Sequence, residues 1–269
     1  MRKLVLLALL MPALAVADEC RYSAPHDFDA DAAGLAQVAF ALGASDLVVE
    51  GVRGLGRIEV RGKACATDEA RLAGFDVRQQ RDGDRLTISA VEPERRGFGH
   101  EGLTLHVRMP EALAVSVRSG SGDVQVRHVA ALDVGTGSGD FEAEDVAGAL
   151  AIELGSGDFE GRRIGSAEVR RLASGDVRLR EVRGDVKVGH AGSGDLDLDT
   201  VGGRVEIGSV GSGDVTIAHV ERDVAVGSVG SGDVSVDGVG GSFVVRSIGS
   251  GDVRHQGVRG TVSVPREDD

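Results

Sequence analysis

The chain has 269 residues and a formal net charge of −13, with no tryptophan, one tyrosine and 3% aromatic residues. Such a balance disfavours nucleic-acid binding, which needs a basic surface. It also argues against sugar recognition on aromatic platforms, the usual companion of paired acid/base carboxylates on β-helix enzymes.

Met1-Arg2-Lys3 is a short basic start, and Leu4 to Ala17 is uniformly apolar, ending in the small-residue run Ala15-Val16-Ala17. Residues 1–17 therefore read as a secretory signal peptide, with Asp18 as the first mature residue. The run has 14 residues, shorter than the roughly 20 a membrane span requires, and no later stretch qualifies. Loss of Arg2 and Lys3 takes the charge from −13 to −15. An acidic surface of this kind attracts cations or cationic peptides. Cys20 and Cys65 are the only cysteines, and in an exported protein such a pair predicts one disulfide.

Residues 18–110 read as an irregular β-rich region that caps the periodic remainder of the chain, since an open sheet end invites aggregation. Leu47-Val48-Val49 and Ile58-Glu59-Val60 predict short strands, and Leu35 to Leu42 fits strand or helix equally. Thr67 is placed to cap a single helical turn over Asp68–Ala73, ended by Gly74. Phe75–Val77 and Leu86–Ile88 flank Asp82-Gly83 as a hairpin. Leu103, Leu105, Val107 and Met109 alternate up to Pro110.

From residue 111 to 264 the chain is periodic. Ser-Gly-Asp recurs with its aspartates at Asp123, Asp140, Asp158, Asp176, Asp195, Asp214, Asp233 and Asp252, in steps of 17, 18, 18, 19, 19, 19 and 19 residues. A short fixed period marks a solenoid. Each unit holds Val-x-Val-x-x-Val twice, as in Val215, Ile217, Val220, Val224, Val226 and Val229. Two-residue spacing places each apolar pair on one face of a short strand. Where the first inward position enlarges to Phe141 or Phe159, the next one shrinks to Ala143 or Gly161, as a close-packed interior requires. The expected fold is all-β: a parallel β-helix of about 19-residue coils, two strands per coil, right-handed by the crossover rule. Residues 265–269 form a proline-led charged tail that opposes end-to-end addition.

Chemistry is scarce in this pattern. Coils about 4.8 Å apart stack the eight aspartates in a column. Turn carboxylates that each accept an N–H are the plain reading, and a ladder of Ca²⁺ sites is the sharper one. The Ca²⁺-binding nonapeptide does not match, because here Val215 directly follows Asp214 and the aspartates recur at twice that period. Glycine runs such as Gly135-Thr136-Gly137 imitate phosphate loops without a following Gly-Lys-Ser/Thr. His128 and His219 share a coil position but lie five coils apart, too far to share a metal. Arg162, Arg163, Arg178 and Arg180 fall on one strand of adjacent coils, interspersed with Glu160, Glu181 and Asp197, so a mixed solvated face competes with a local anion site. Arg95, Arg96, Phe98 and His100 lie in the longest irregular loop, a candidate contact site.

Eight copies of Ser-Gly-Asp-Val-x-Val or close variants, with the Leu47–Val60 and Leu103–Pro110 lead-in, make the chain resemble the bacterial exported β-strand-repeat family labelled "putative adhesin", a domain of unknown function. The resemblance spans roughly residues 35–264 and implies a β-solenoid at or outside the cell envelope, sometimes tied to envelope stress, with no catalytic residues. The expected function is a non-enzymatic adhesin-like or scaffolding protein of the periplasm or cell surface. It binds an unknown protein or envelope partner and needs no cofactor. Stress sensing or sequestration of cationic ligands is the alternative, and a polysaccharide-active enzyme the distant one.

Overall fold

The computed structural model describes residues 20–93 and 101–265. The expected signal peptide, the loop residues Arg95, Arg96, Phe98 and His100, and all of the charged tail after Pro265 lie outside the described residues.

The apolar pairs build two parallel walls. In one coil, strands Val215–Val220 and Val224–Val229 bury Val215, Ile217, Val220, Val224, Val226 and Val229. Each pairs in parallel with its equivalent in the next coil, Val215 opposite Val234 and Val224 opposite Phe243. The first wall runs in register through Val124, Phe141, Phe159, Val177, Leu196, Val215, Val234 and Val253. The second runs through Val115, Leu132, Leu150, Ala167, Val186, Val205, Val224 and Phe243. One continuous apolar core fills the space between them. Phe141 and Phe159 stack inside it with centroids 5.3 Å apart. Ala143 and Gly161 sit in register beside them, so the volume exchange read from the sequence is a packing fact.

The amino-terminal part contains strands β1 (Tyr22–Pro25), β2 (Phe28–Asp31), β3 (Gln37–Ala41), β4 (Asp46–Val52) and β5 (Arg57–Ala66). A single helical turn α1 (Glu69–Leu72) follows. Then come β6 (Asp76–Asp82), β7 (Arg85–Val91), β8 (Gly102–Pro110), β9 (Ala114–Ser119) and β10 (Val124–Val129). The boundary expected at residue 111 is not where the stack begins. β3 pairs in parallel with β9 and β4 with β10, so residues 37–52 already form a coil. On its other side β3 meets β7 and β4 meets β8, again in parallel. The spatial order is thus β7–β8, then β3–β4, then β9–β10: the first coil in sequence is second in space. Buried Val38, Phe40, Leu47 and Val49 supply the same inward pairs as any later coil.

Antiparallel strands close this end. β5 covers the edge of β8, β1 and β2 add to β5, and β6 covers the edge of β7 through the Asp82-Gly83 hairpin. Covered edges offer no template to another chain. Cys20, just before β1, and Cys65 in β5 form a disulfide with Cα atoms 5.4 Å apart. The cap of α1 is Asp68 rather than Thr67: the Asp68 carboxylate accepts the Arg71 N–H at 2.9 Å. At the far end, Val253–Val258 and Val262–Ser263 pair on one side only, and Val262 is 38% exposed.

Direct stacking dictates the corner residues. A Cβ placed on Gly213 would lie 2.1 Å from the Gly194 carbonyl oxygen, and one on Gly194 would lie 1.8 Å from that of Gly175. Neither glycine has a positive φ, so the requirement is space and not left-handed backbone. Gly213→Ala is therefore expected to lower stability by about 1–3 kcal/mol or more through overpacking. In denaturant titration the midpoint should fall while the slope holds; an unmoved midpoint would mean the corners are not in contact.

Candidate functional site

The eight predicted aspartates line one edge of the solenoid, where the carboxylate of each from Asp123 to Asp233 accepts the backbone N–H of the next corner. Asp233 donates its N–H to Asp214 Oδ1 at 2.9 Å, and Asp214 donates to Asp195 Oδ1 at 2.8 Å. The same bond joins Asp252 to Asp233, Asp195 to Asp176, Asp176 to Asp158, Asp158 to Asp140, and Asp140 to Asp123. In return the residue after each aspartate donates its N–H to the next corner's carbonyl, as Val215 does to Asp233 O at 2.8 Å. The column has a ninth member that sequence reading missed: Asp46 accepts from Asp123 N at 3.1 Å. Glu92 completes the start of this edge by accepting the Ala44 N–H at 3.0 Å and the Ser45 hydroxyl.

Some outer oxygens of the column are also engaged. Arg178 reaches Asp176 Oδ2 at 3.3 Å, and Arg254 bridges Asp233 and Asp252 at 3.3 and 2.8 Å. Among the described residues, no group of three or more His, Cys, Asp or Glu side chains is placed to hold a metal ion.

The opposite end of each first-wall strand carries a second column. His128, Asp145, Arg163, Glu181, Thr200 and His219 all have φ between 54° and 62°, continued by Gly238 at 71° and Gly257 at 66°. Left-handed backbone costs a non-glycine residue about 1–2 kcal/mol, and the ladder skips this residue in each coil. The sequence predicted a shared coil position for His128 and His219; it did not predict that the position is strained. Side chains here pair with the neighbouring coil. His219 Nδ1 lies 2.9 Å from Asp199 Oδ1, and Arg163 grips Asp145 at 2.7 and 2.8 Å and Glu144 at 2.6 Å. The hydrogen bond from His219 holds Asp199 below the usual carboxylate range. The same bond, aided by the Asp199 charge, raises His219 above its ordinary value of 6.5.

The arginine group forms a third feature. Arg127, Arg162, Arg178 and Arg180 surround a shallow depression on the first wall, of about 210 Å³, whose lining includes Ala143 and Gly161. Arg163, the fourth arginine of the sequence grouping, turns away to the left-handed column and its two carboxylates.

A profile of the Toastrack DUF4097 family matches residues 66–237, well over half of the chain. The chain belongs to the Toastrack DUF4097 family. Among solved structures, this Toastrack chain is similar to a "putative lipid binding protein" from Parabacteroides distasonis, with 16% identity and a TM-score of 0.58 over 86% of this chain and 96% of that one. It is also similar to a "putative adhesin" from the same organism, with 14% identity and a TM-score of 0.53 over 87% and 97%. At these identities the likeness shows a shared fold. No curated protein matches the chain.

Two measurements probe these columns of the Toastrack solenoid. The raised His219 contributes stability that is complete below about pH 6.5 and lost as pH rises through its folded value. The lowered Asp199 contributes stability above the ordinary carboxylate range, lost as pH falls through its own depressed value. An NMR titration should find His219 above 6.5 and back near its ordinary value in Asp199→Ala; identical curves would dissolve the pair. In the aspartate column, Asp214→Ala should cost about 1 kcal/mol for the lost acceptor. Asp214→Asn, which keeps an acceptor oxygen, should recover most of that in the same denaturation assay; equal losses would show that the bond contributes nothing.

Proposed function

We propose that this protein is an exported, non-enzymatic scaffold of the cell envelope that makes adhesin-like contacts with a protein or envelope partner. The observation that carries this reading is the in-register display of outward side chains. The 19-residue coils pair residue for residue, so outward residues such as Thr216, Ser235 and Arg254 stand in one row, at about 4.8 Å intervals. A rigid ruler of side chains suits an extended partner surface better than it suits a closed catalytic cleft. The Cys20–Cys65 disulfide supports an oxidising compartment, consistent with the apolar leader read in residues 1–17. No helix among the described residues is long and apolar enough to cross a membrane. The acidic balance disfavours nucleic acid as the partner.

The test uses labelled protein spanning residues 18–269, mixed with whole cells and with isolated envelope fractions of its native host. Retention on either, above that of an unrelated protein of equal charge, is the expected result. No retention on cells or envelope would overturn the scaffold reading.

A further inference from the structure

Along the first wall, residues Glu144, Arg162, Arg180 and Asp199 are consecutive register partners on four neighbouring coils. An alternating row would let each arginine meet a carboxylate, but here two guanidinium groups are adjacent. The acids that flank them are committed elsewhere. Glu144 accepts from Arg163 at 2.6 Å and lies 3.5 Å from Arg127. Asp199 accepts from His219 at 2.9 Å and from Thr200 at 3.2 Å. Arg178, one row over, leans on Asp176 at 3.3 Å, while Glu142 takes the Gln125 amide at 2.6 Å. Arg162 and Arg180 have no hydrogen-bond or close ion-pair partner among the described residues, although the Arg180 charge does act on Asp199 from a distance, and both are exposed.

The depression beneath them lies over a change in the core. Its lining includes Ala143 and Gly161, in the two coils where a phenylalanine at the first inward position leaves only a small residue at the next. The Phe159 ring and Leu179 fill the space a side chain on Gly161 would take, while Phe141 and Phe159 stack alongside. A shift in core volume thus coincides with two guanidinium groups on the outside that no carboxylate holds by a hydrogen bond.

We propose that this depression is a binding site for an oxyanion, a phosphate or carboxylate group, held by Arg162 and Arg180 with Arg127 and Arg178 at its rim. Each guanidinium offers five N–H donors in a planar fork that matches such oxygens in pairs. Adjacent coils set the backbones of Arg162 and Arg180 in register about 4.8 Å apart, within reach of one anion for two side chains of this length. Glu160 lines the same depression, and its charge opposes an anion there, which the guanidinium groups must outweigh. The site stands apart from the scaffold reading, since it rests on local geometry and requires no envelope partner.

The experiment is isothermal titration calorimetry of the full mature chain with pyrophosphate and, separately, citrate at low ionic strength. Three proteins are compared: wild type, Arg162→Gln/Arg180→Gln, and the control Arg53→Gln/Arg204→Gln, which removes equal charge from exposed ion pairs elsewhere. Circular dichroism confirms that each is folded. Wild type and control are expected to bind at least one of the anions alike, with at least tenfold weaker binding by Arg162→Gln/Arg180→Gln. Binding of pyrophosphate alone assigns a phosphate ligand, and of citrate alone a carboxylate. No binding by wild type, or equal affinity in all three proteins, overturns the proposal.

Discussion

The backbone of each Ser-Gly-Asp corner rests directly on the corner before it, and the rest of the solenoid depends on that contact. A parallel ladder holds its strands about 4.8 Å apart only if successive coils trace the same path. At a bend this brings a carbonyl oxygen to where a side chain would begin, as at Gly213 and Gly194. Glycine removes the collision. The aspartate N–H at the bend also needs an acceptor, and the carboxylate of the corner before supplies it. One tripeptide therefore solves both problems that stacking creates, which is a sufficient reason for its repetition.

That solution has consequences for chemistry. One oxygen of every aspartate in the corner column from Asp46 to Asp233 accepts a backbone N–H. The most conspicuous row of charge in the chain is therefore part of its backbone hydrogen bonding. Distinct chemistry falls instead to the rows that stacking leaves free to vary. These are the outward positions of the first wall, where Arg162 meets Arg180, and the left-handed column, where His219 meets Asp199. Variation between coils, rather than the repeat itself, distinguishes one stretch of surface from another.

The coils themselves were legible because valine pairs at two-residue spacing can bury one face only as strands, and because Ser-Gly-Asp tags most turns. Where the tag fails, so does the reading. Asp46 follows Ala44-Ser45 instead of Ser-Gly, and its coil was assigned to the cap although Leu47 and Val49 pair with Val124 and Val126. That β7–β8 would stack outside β3–β4 follows from long-range pairing that no local pattern encodes. The left-handed column was hidden by its composition: His128, Asp145, Arg163, Glu181, Thr200 and His219 span five side-chain types. Only Gly238 and Gly257 in the last coils signal the conformation. The arginine pair was visible in the sequence as a group, but its commitments were not, because the partners of Glu144 and Asp199 lie one coil away.

If coils are interchangeable layers, one can be removed whole. Joining Asp214 directly to Val234 deletes residues 215–233 and should leave every remaining corner seated on another. Thermal unfolding followed by circular dichroism is the direct measurement. The shortened chain is predicted to keep a β-type spectrum and a single cooperative transition, whereas deleting only 215–223 should abolish it by placing first-wall strands against second-wall positions. Loss of folding on removing the complete coil, or equal tolerance of both deletions, would contradict the account.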